Sequence, residues 1–145
     1  MKFLFFNSLI FLLSFNIQNK EEKLIVNFLN SCQDKNIKMT SIKEQYICQT
    51  ENNKELKTDL DKFINDQILE LRKELQTKDI SNLKIVNAAN DAEVKKEFLT
   101  EDASNIFVLK EGQKNSHYFL IENGKIASFS VMNKGRIKIF LLLCR

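Results

Sequence analysis

Hydrophobic positions recur every three or four residues up to residue 75, and from residue 105 they crowd into short runs cut by glycine-containing turns. Leu24, Ile25, Phe28, Leu29 and Cys32 share one helical stripe and predict a first helix near 20–34. Ser41 followed by Glu44 has the spacing of a capping box, so a short second helix through Tyr46, Ile47 and Cys48 is expected. Asn52, with Glu55 three residues on, suits the cap of a third. The stripe of that helix runs Leu56, Leu60, Phe63, Ile64, Ile68, Leu71, Leu75. Lys57, Asp61, Lys62, Asp66, Glu70, Arg72 and Lys73 occupy the other side. This is a long amphipathic helix lying on a core.

After residue 80 the period changes. Residues 83–86 read as a short strand, and residues 90–93 open a turn of helix ending near Leu99. Strands are expected at 106–110, 116–122, 125–132 and 136–144. Asn123-Gly124 is a strong hairpin signal, because both residues tolerate the positive φ of a type I′ turn. Asn133-Lys134-Gly135 suits a three-residue loop with Gly left-handed. The expected fold is α+β: N-terminal helices, one of them long, packed on a four- to five-stranded antiparallel meander in a single domain over residues 19–145.

Turn geometry then assigns faces. A loop at Asn123-Gly124 sets Glu122 opposite Lys125, Phe119 opposite Ser128 and His117 opposite Ser130. A three-residue loop at 133–135 sets Ser130 opposite Lys138 and Ser128 opposite Phe140. An even loop centred on Gln113-Lys114 sets Lys110 opposite His117. One face, with Phe107, Leu109, Tyr118, Leu120, Phe129, Ile139 and Leu141, should carry the long helix. The other grades from Ile106, Ile121, Ile126 and Leu142, through Val108, Phe119, Ser128 and Phe140, to Lys110, His117, Ser130 and Lys138. So many large apolar groups suggest a pocket lining or an interface rather than a face turned to water. The candidate ligand-binding residues are therefore Lys110, His117, Phe119, Ser128, Ser130, Lys138 and Phe140. An apolar floor with a cationic rim suits a small amphipathic anion.

The N-terminus carries Lys2, then Phe3 to Phe6 and Leu9 to Phe15 relieved by Asn7, Ser8 and Ser14. That run falls short of the roughly 20 apolar residues of a membrane span. It fits a signal peptide over residues 1–18, removed on export to the periplasm or medium. Without Lys2 the formal charge falls from +3 to +2, which does not suit a nucleic-acid binder. Cys32, Cys48 and Cys144 have no metal or redox spacing. Each falls at a position that reads as apolar face, which points to three buried thiols; an exported chain could also join two and leave one over. Asp59, Asp61 and Asp66 lack the spacing of a calcium loop and read as solvated surface. No metal or other cofactor is expected.

The stretch Tyr118-Phe119-Leu120-Ile121-Glu122-Asn123-Gly124-Lys125-Ile126 resembles the hairpin common in the NTF2-like (cystatin-like α+β) superfamily. The resemblance implies N-terminal helices against a bent antiparallel sheet, a cone-shaped pocket, and homodimers formed through the sheet. Enzymes of that plan place Asp, His or Tyr in the pocket, and here only His117 and Tyr118 could serve, with Tyr118 assigned to the helix-covered face. A non-catalytic exported binding or interaction domain is the expected role, for an unknown small molecule or protein. The alternatives are a small pocket hydrolase or isomerase, and an inhibitor- or immunity-type interaction protein without a pocket. N-terminal sequencing of the protein from its native host should begin between Asn16 and Lys23; intact Met1 on a cytoplasmic protein would end the export reading.

Overall fold

The computed structural model describes residues 19–49, 54–99 and 101–144, the side chains of 54–56 excepted. The N-terminal apolar segment and the proposed cap Asn52 lie outside the described residues. Helix α1 (Lys20–Gln33) is started by Asn19, whose side-chain oxygen accepts the Glu22 amide at 2.7 Å. It buries Ile25, Phe28, Leu29 and Cys32. Helix α2 (Met39–Tyr46) begins two residues before Ser41, and its N-cap Lys38 makes no side-chain capping bond. The capping box is therefore not used. Met39, Ile42 and Tyr46 lie on one stripe, and starting the helix at Met39 lets all three pack on the core. Helix α3 (Lys54–Leu75) buries Ile64, Ile68, Leu71 and Leu75, with Leu60 and Phe63 half-buried beside the same core.

Helices α1 and α3 close each other's C-terminal carbonyls. Arg72 donates from Nε to the Cys32 carbonyl and from Nη2 to that of Ile37, both at 2.9 Å. In return Gln33 Nε2 donates to the carbonyls of Leu75 at 2.6 Å and Lys78 at 2.9 Å. Groups that a helix end leaves orphaned are thus satisfied across the helix pair.

Strands β1 (Lys84–Asn87), β2 (Ile106–Glu111), β3 (Lys114–Glu122) and β4 (Lys125–Ser128) form an antiparallel sheet in the order β1-β2-β3-β4. The short helix α4 (Ala92–Glu97), capped by Asp91, lies between β1 and β2 in the chain. Strands β5 (Val131–Lys134) and β6 (Ile137–Phe140) form a separate two-stranded sheet. The α+β plan is the expected one. The meander is not continuous: the strand expected over 125–132 divides after Ser128.

The Asn123-Gly124 turn forms as read, with φ of 51° and 72° and Glu122 opposite Lys125. Elsewhere the registers differ, through shifted turns and extra residues in the strands. The first hairpin turns at Gly112-Gln113, one residue earlier than expected, and an extra residue, Ser116, bulges from β3. His117 therefore pairs with Leu109 rather than Lys110, and Phe119 with Phe107 rather than Val108. A second irregularity at Ala127 sets Ser128 opposite Leu120 rather than Phe119. The last hairpin closes on a two-residue Gly135-Arg136 turn, setting Asn133 opposite Lys138 and Val131 opposite Phe140.

Phe119, Ile121 and Ile126 accordingly exchange faces with Tyr118, Leu120 and Ala127, while Phe107, Leu109 and Phe129 keep the helix side and Ile106, Val108 and Phe140 the far side, as expected. Phe107, Leu109, Phe119, Ile121, Ile126 and Phe129 pack under α1–α3. Ile106, Val108, Tyr118, Leu120, Ala127 and Phe140 pack on the far side against Ala88, Val94 and Phe98. The segment after α2 joins the sheet beside β4, with the Cys48 amide donating to the Ile126 carbonyl at 3.1 Å. Cys48 and Cys144 form a disulfide across 96 residues, while Cys32 is free and buried. Two of the three thiols read as buried are thus joined, because the chain end returns along β4: Leu143 donates to the Ala127 carbonyl at 2.9 Å.

Phe28 is fully buried and meets the rings of Tyr46, Phe119 and Phe129 at centroid distances of 5.9, 6.2 and 5.4 Å. Phe28→Ala should cost about 3–5 kcal/mol in urea unfolding, and Phe63→Ala, at the core's half-exposed edge, clearly less; equal costs would mean that the helix layer packs otherwise.

Candidate functional site

Where β4 stops pairing at Ser128, β3 runs on paired with β2 alone, and a cleft of about 570 Å³ opens between its free side and the β5–β6 hairpin. Asn115, Ser116, His117 and Tyr118 of β3 form one wall; Ser130, Val131 and Asn133 with Lys138 and Leu141 form the other. Phe63 and Gln67 of α3, with Phe129, complete the lining. The departure of the chain from β3 is fixed by Phe129, which enters the helix-side core, and by Ser130, whose hydroxyl donates to Gln67 Oε1 at 2.5 Å.

Of the seven residues predicted to share one site, His117, Ser130 and Lys138 border this cleft, and they reach it from different faces of β3. His117 points to α3, where its Nε2 lies 3.1 Å from Glu74 Oε2. Lys138 lies on the α4 side, 2.9 Å from Glu97 Oε2 and over the Tyr118 ring at 5.4 Å. Lys110 is held away from both, 2.6 Å from Asp91. Phe119 belongs to the helix-side core and Phe140 to the far core, stacked on Phe98 at 4.9 Å. Ser128 is fully buried and its hydroxyl donates to the Leu141 carbonyl at 2.7 Å. The single row drawn from the sequence is dissolved by the Ser116 bulge and by the break after Ser128.

Two polar groups flank the cleft. On the helix side Glu74 accepts from Lys78 at 2.6 Å as well as facing His117, and Lys78 also reaches Glu111 at 3.0 Å. Burial would raise the Glu74 carboxyl, but the Lys78 hydrogen bond and the charges of His117 and Lys78 hold it below its usual value. Burial pushes His117 below the ordinary histidine value, and the Glu74 carboxylate offsets this only in part. Neutral His117 donates Nε2–H to Glu74, which leaves Nδ1 an acceptor, buried and without a hydrogen-bond partner. On the far side the Tyr118 hydroxyl donates to Glu97 at 3.1 Å, and burial raises its pKa.

The Ser116 hydroxyl is spent on the Leu109 carbonyl at 3.0 Å and that of Ser130 on Gln67, so neither serine hydroxyl is bonded to the imidazole. Among the described residues no cluster of His, Cys, Asp and Glu is placed to hold a metal, and no helix is long and apolar enough to cross a membrane. Sequence reasoning missed Gln67, Asn115, Ser116 and Tyr118 as cleft residues. The available signal was the polar triplet Asn115-Ser116-His117 opening an otherwise apolar strand. The chain matches no family model, no curated protein and no solved structure.

Acid should reveal the buried histidine. The folded pKa of His117 lies below its ordinary 6.5, so its contribution to stability is present above that pH and is lost as pH falls through the folded value. Glu74 acts lower, losing its contribution only below its ordinary 4.5. Urea midpoints of the protein should therefore fall between pH 7 and pH 5 more steeply than those of His117→Gln; parallel curves would remove His117 as the cause.

Proposed function

We propose that this protein is an exported, non-catalytic binding domain whose ligand occupies the cleft between β3 and the β5–β6 hairpin. The cleft carries the reading. It lies within the volume range of small-ligand sites, combines apolar groups from Phe63, Phe129 and Leu141 with polar ones, and offers no activated nucleophile. Lys138, the one cation on its walls among the described residues, is already paired with Glu97, so the interior offers hydrogen bonds more than free charge. An amphipathic anion remains compatible if its charge stays at the mouth.

Export is supported by the Lys2-led apolar segment and by the Cys48–Cys144 pairing, which suits an oxidising compartment. The order of helices before an antiparallel sheet also agrees with the NTF2-like plan suggested by the 118–126 hairpin. Native mass spectrometry of the protein isolated from its own host should detect a retained ligand. Asn133→Trp, which fills the mouth from an exposed strand position, should abolish that adduct and leave the melting temperature within a few degrees of the parent. A ligand retained undiminished by Asn133→Trp would move the site elsewhere.

A further inference from the structure

The cleft is also an unfinished sheet edge. Glu122 and Lys125 flank a two-residue turn, and in such hairpins the flanking pair exchanges both backbone hydrogen bonds. Alternate residues of β3 turn their backbone groups to the same side, which sends those of Leu120 and Tyr118 toward β4. Pairing with β4 ends at Leu120 opposite Ser128, so the Tyr118 amide and carbonyl face the cleft with no strand opposite them. The outer edge of β1 is the sheet's other open side; it is four residues long and begins with an exposed lysine, Lys84, a feature that discourages pairing.

Charge at the cleft mouth points to an occupant. One residue outward from Asn115 stands Lys114, and one outward from Asn133 stands Lys134, with Arg136 at the hairpin turn. All three are exposed, and none has an ion-pair partner among the described residues. Across from them, Glu111 is engaged by Lys78.

Resting on the cleft-binding reading, we propose that the occupant is an extended peptide segment of another protein, pairing its backbone with β3 at Tyr118 and directing an acidic end to Lys114, Lys134 and Arg136. This is strand addition to an open edge, in which main-chain hydrogen bonds supply affinity and side-chain pockets supply selectivity. Alternate side chains of the added segment would meet Phe63 and Phe129 on one face and Tyr118 on the other. A second copy of the chain fits less well, because a folded edge strand brings its neighbours into a cleft walled by α3 and the hairpin. The chain's own segment 1–18 contains no acidic residue.

The test uses capped probe peptides, Ac-Val-Thr-Val-Asp-Glu-NH2 and its reversed order, against 15N-labelled protein. Binding should shift the amides of Ser116 and Tyr118 and slow exchange of the Tyr118 amide. A backbone N-methylated probe should lose these effects. Lys134→Ser with Arg136→Ser should weaken binding by about three- to tenfold at low salt, with the difference shrinking at high salt. Equal binding of an Asn-Gln-ended probe, or shifts confined to residues 84–87, would overturn the inference. So would concentration-dependent dimerisation through β3. If the N-methylated probe binds equally well, or a host-derived small molecule fills the cleft and is lost in Asn133→Trp, strand pairing fails and the cleft reading stands. No cleft shift from any probe, with no host-derived adduct, would overturn both.

Discussion

The central strands are apolar on both faces, and the rest of the molecule is arranged around covering them. Every residue from Ile106 to Leu109 and from Tyr118 to Ile121 is buried. A sheet buried on one side alone would alternate in polarity; these runs do not. One side is covered by α1–α3, the other by α4 with Phe98, Phe140 and the chain end. The disulfide joins the two coverings at the sheet's edge, since Cys48 contacts both cores and Cys144 the far one. In the chain-entropy model a loop of 96 residues is worth about 4–5 kcal/mol. That is a large fraction of a small domain's net stability.

What the sequence makes legible follows from how local each signal is. The helices declare themselves through periodicity, and Asn123-Gly124 fixes one turn because its backbone requirement is confined to two residues. Faces were legible on β2 but not on β3. Register must be carried from the turns along the strands, and each strand held an irregularity at a residue without distinctive chemistry, Ser116 in β3 and Ala127 in β4. Because Ile106 to Leu109 and Tyr118 to Ile121 are apolar throughout, a one-residue slip left no polar residue misplaced to expose it. The disulfide was illegible for a different reason: three cysteines allow three pairings, and spacing selects none of them. Of the seven predicted site residues, His117, Ser130 and Lys138 border the cleft, brought there by the break after Ser128 rather than by the expected register.

The same irregularities create the cleft. Had β4 continued in register, it would have occupied the space beside Tyr118 and closed the edge. Instead Phe129 is drawn into contact with Phe28 at 5.4 Å and Ser130 into its bond with Gln67, which pulls the chain toward α3. The β5–β6 hairpin then stands off from β3. The alternative to the open edge is thus opposed by burial of a phenylalanine, worth about 2–3 kcal/mol in transfer free energy alone.

The two walls of the cleft differ in how they are held, and this decides where adaptation to a ligand can occur. The β3 wall is fastened to the α1–α3 pair through His117, Glu74 and Lys78, and the Lys78 carbonyl is itself held by Gln33. Movement there would separate Glu74 from His117 and Lys78 and disturb the crossed helix caps, so that wall is preorganised. The hairpin wall is held by the Leu141 amide on the Ser130 carbonyl at 3.0 Å, the Lys138–Glu97 pair and the Phe140–Phe98 stack, while β5 is exposed from Met132 to Lys134. Few buried contacts hold its tip, and such regions open at the lowest free-energy cost. A ligand would therefore meet one rigid wall that sets register and one yielding wall that closes on it, with Lys134 and Arg136 carried on the part that moves.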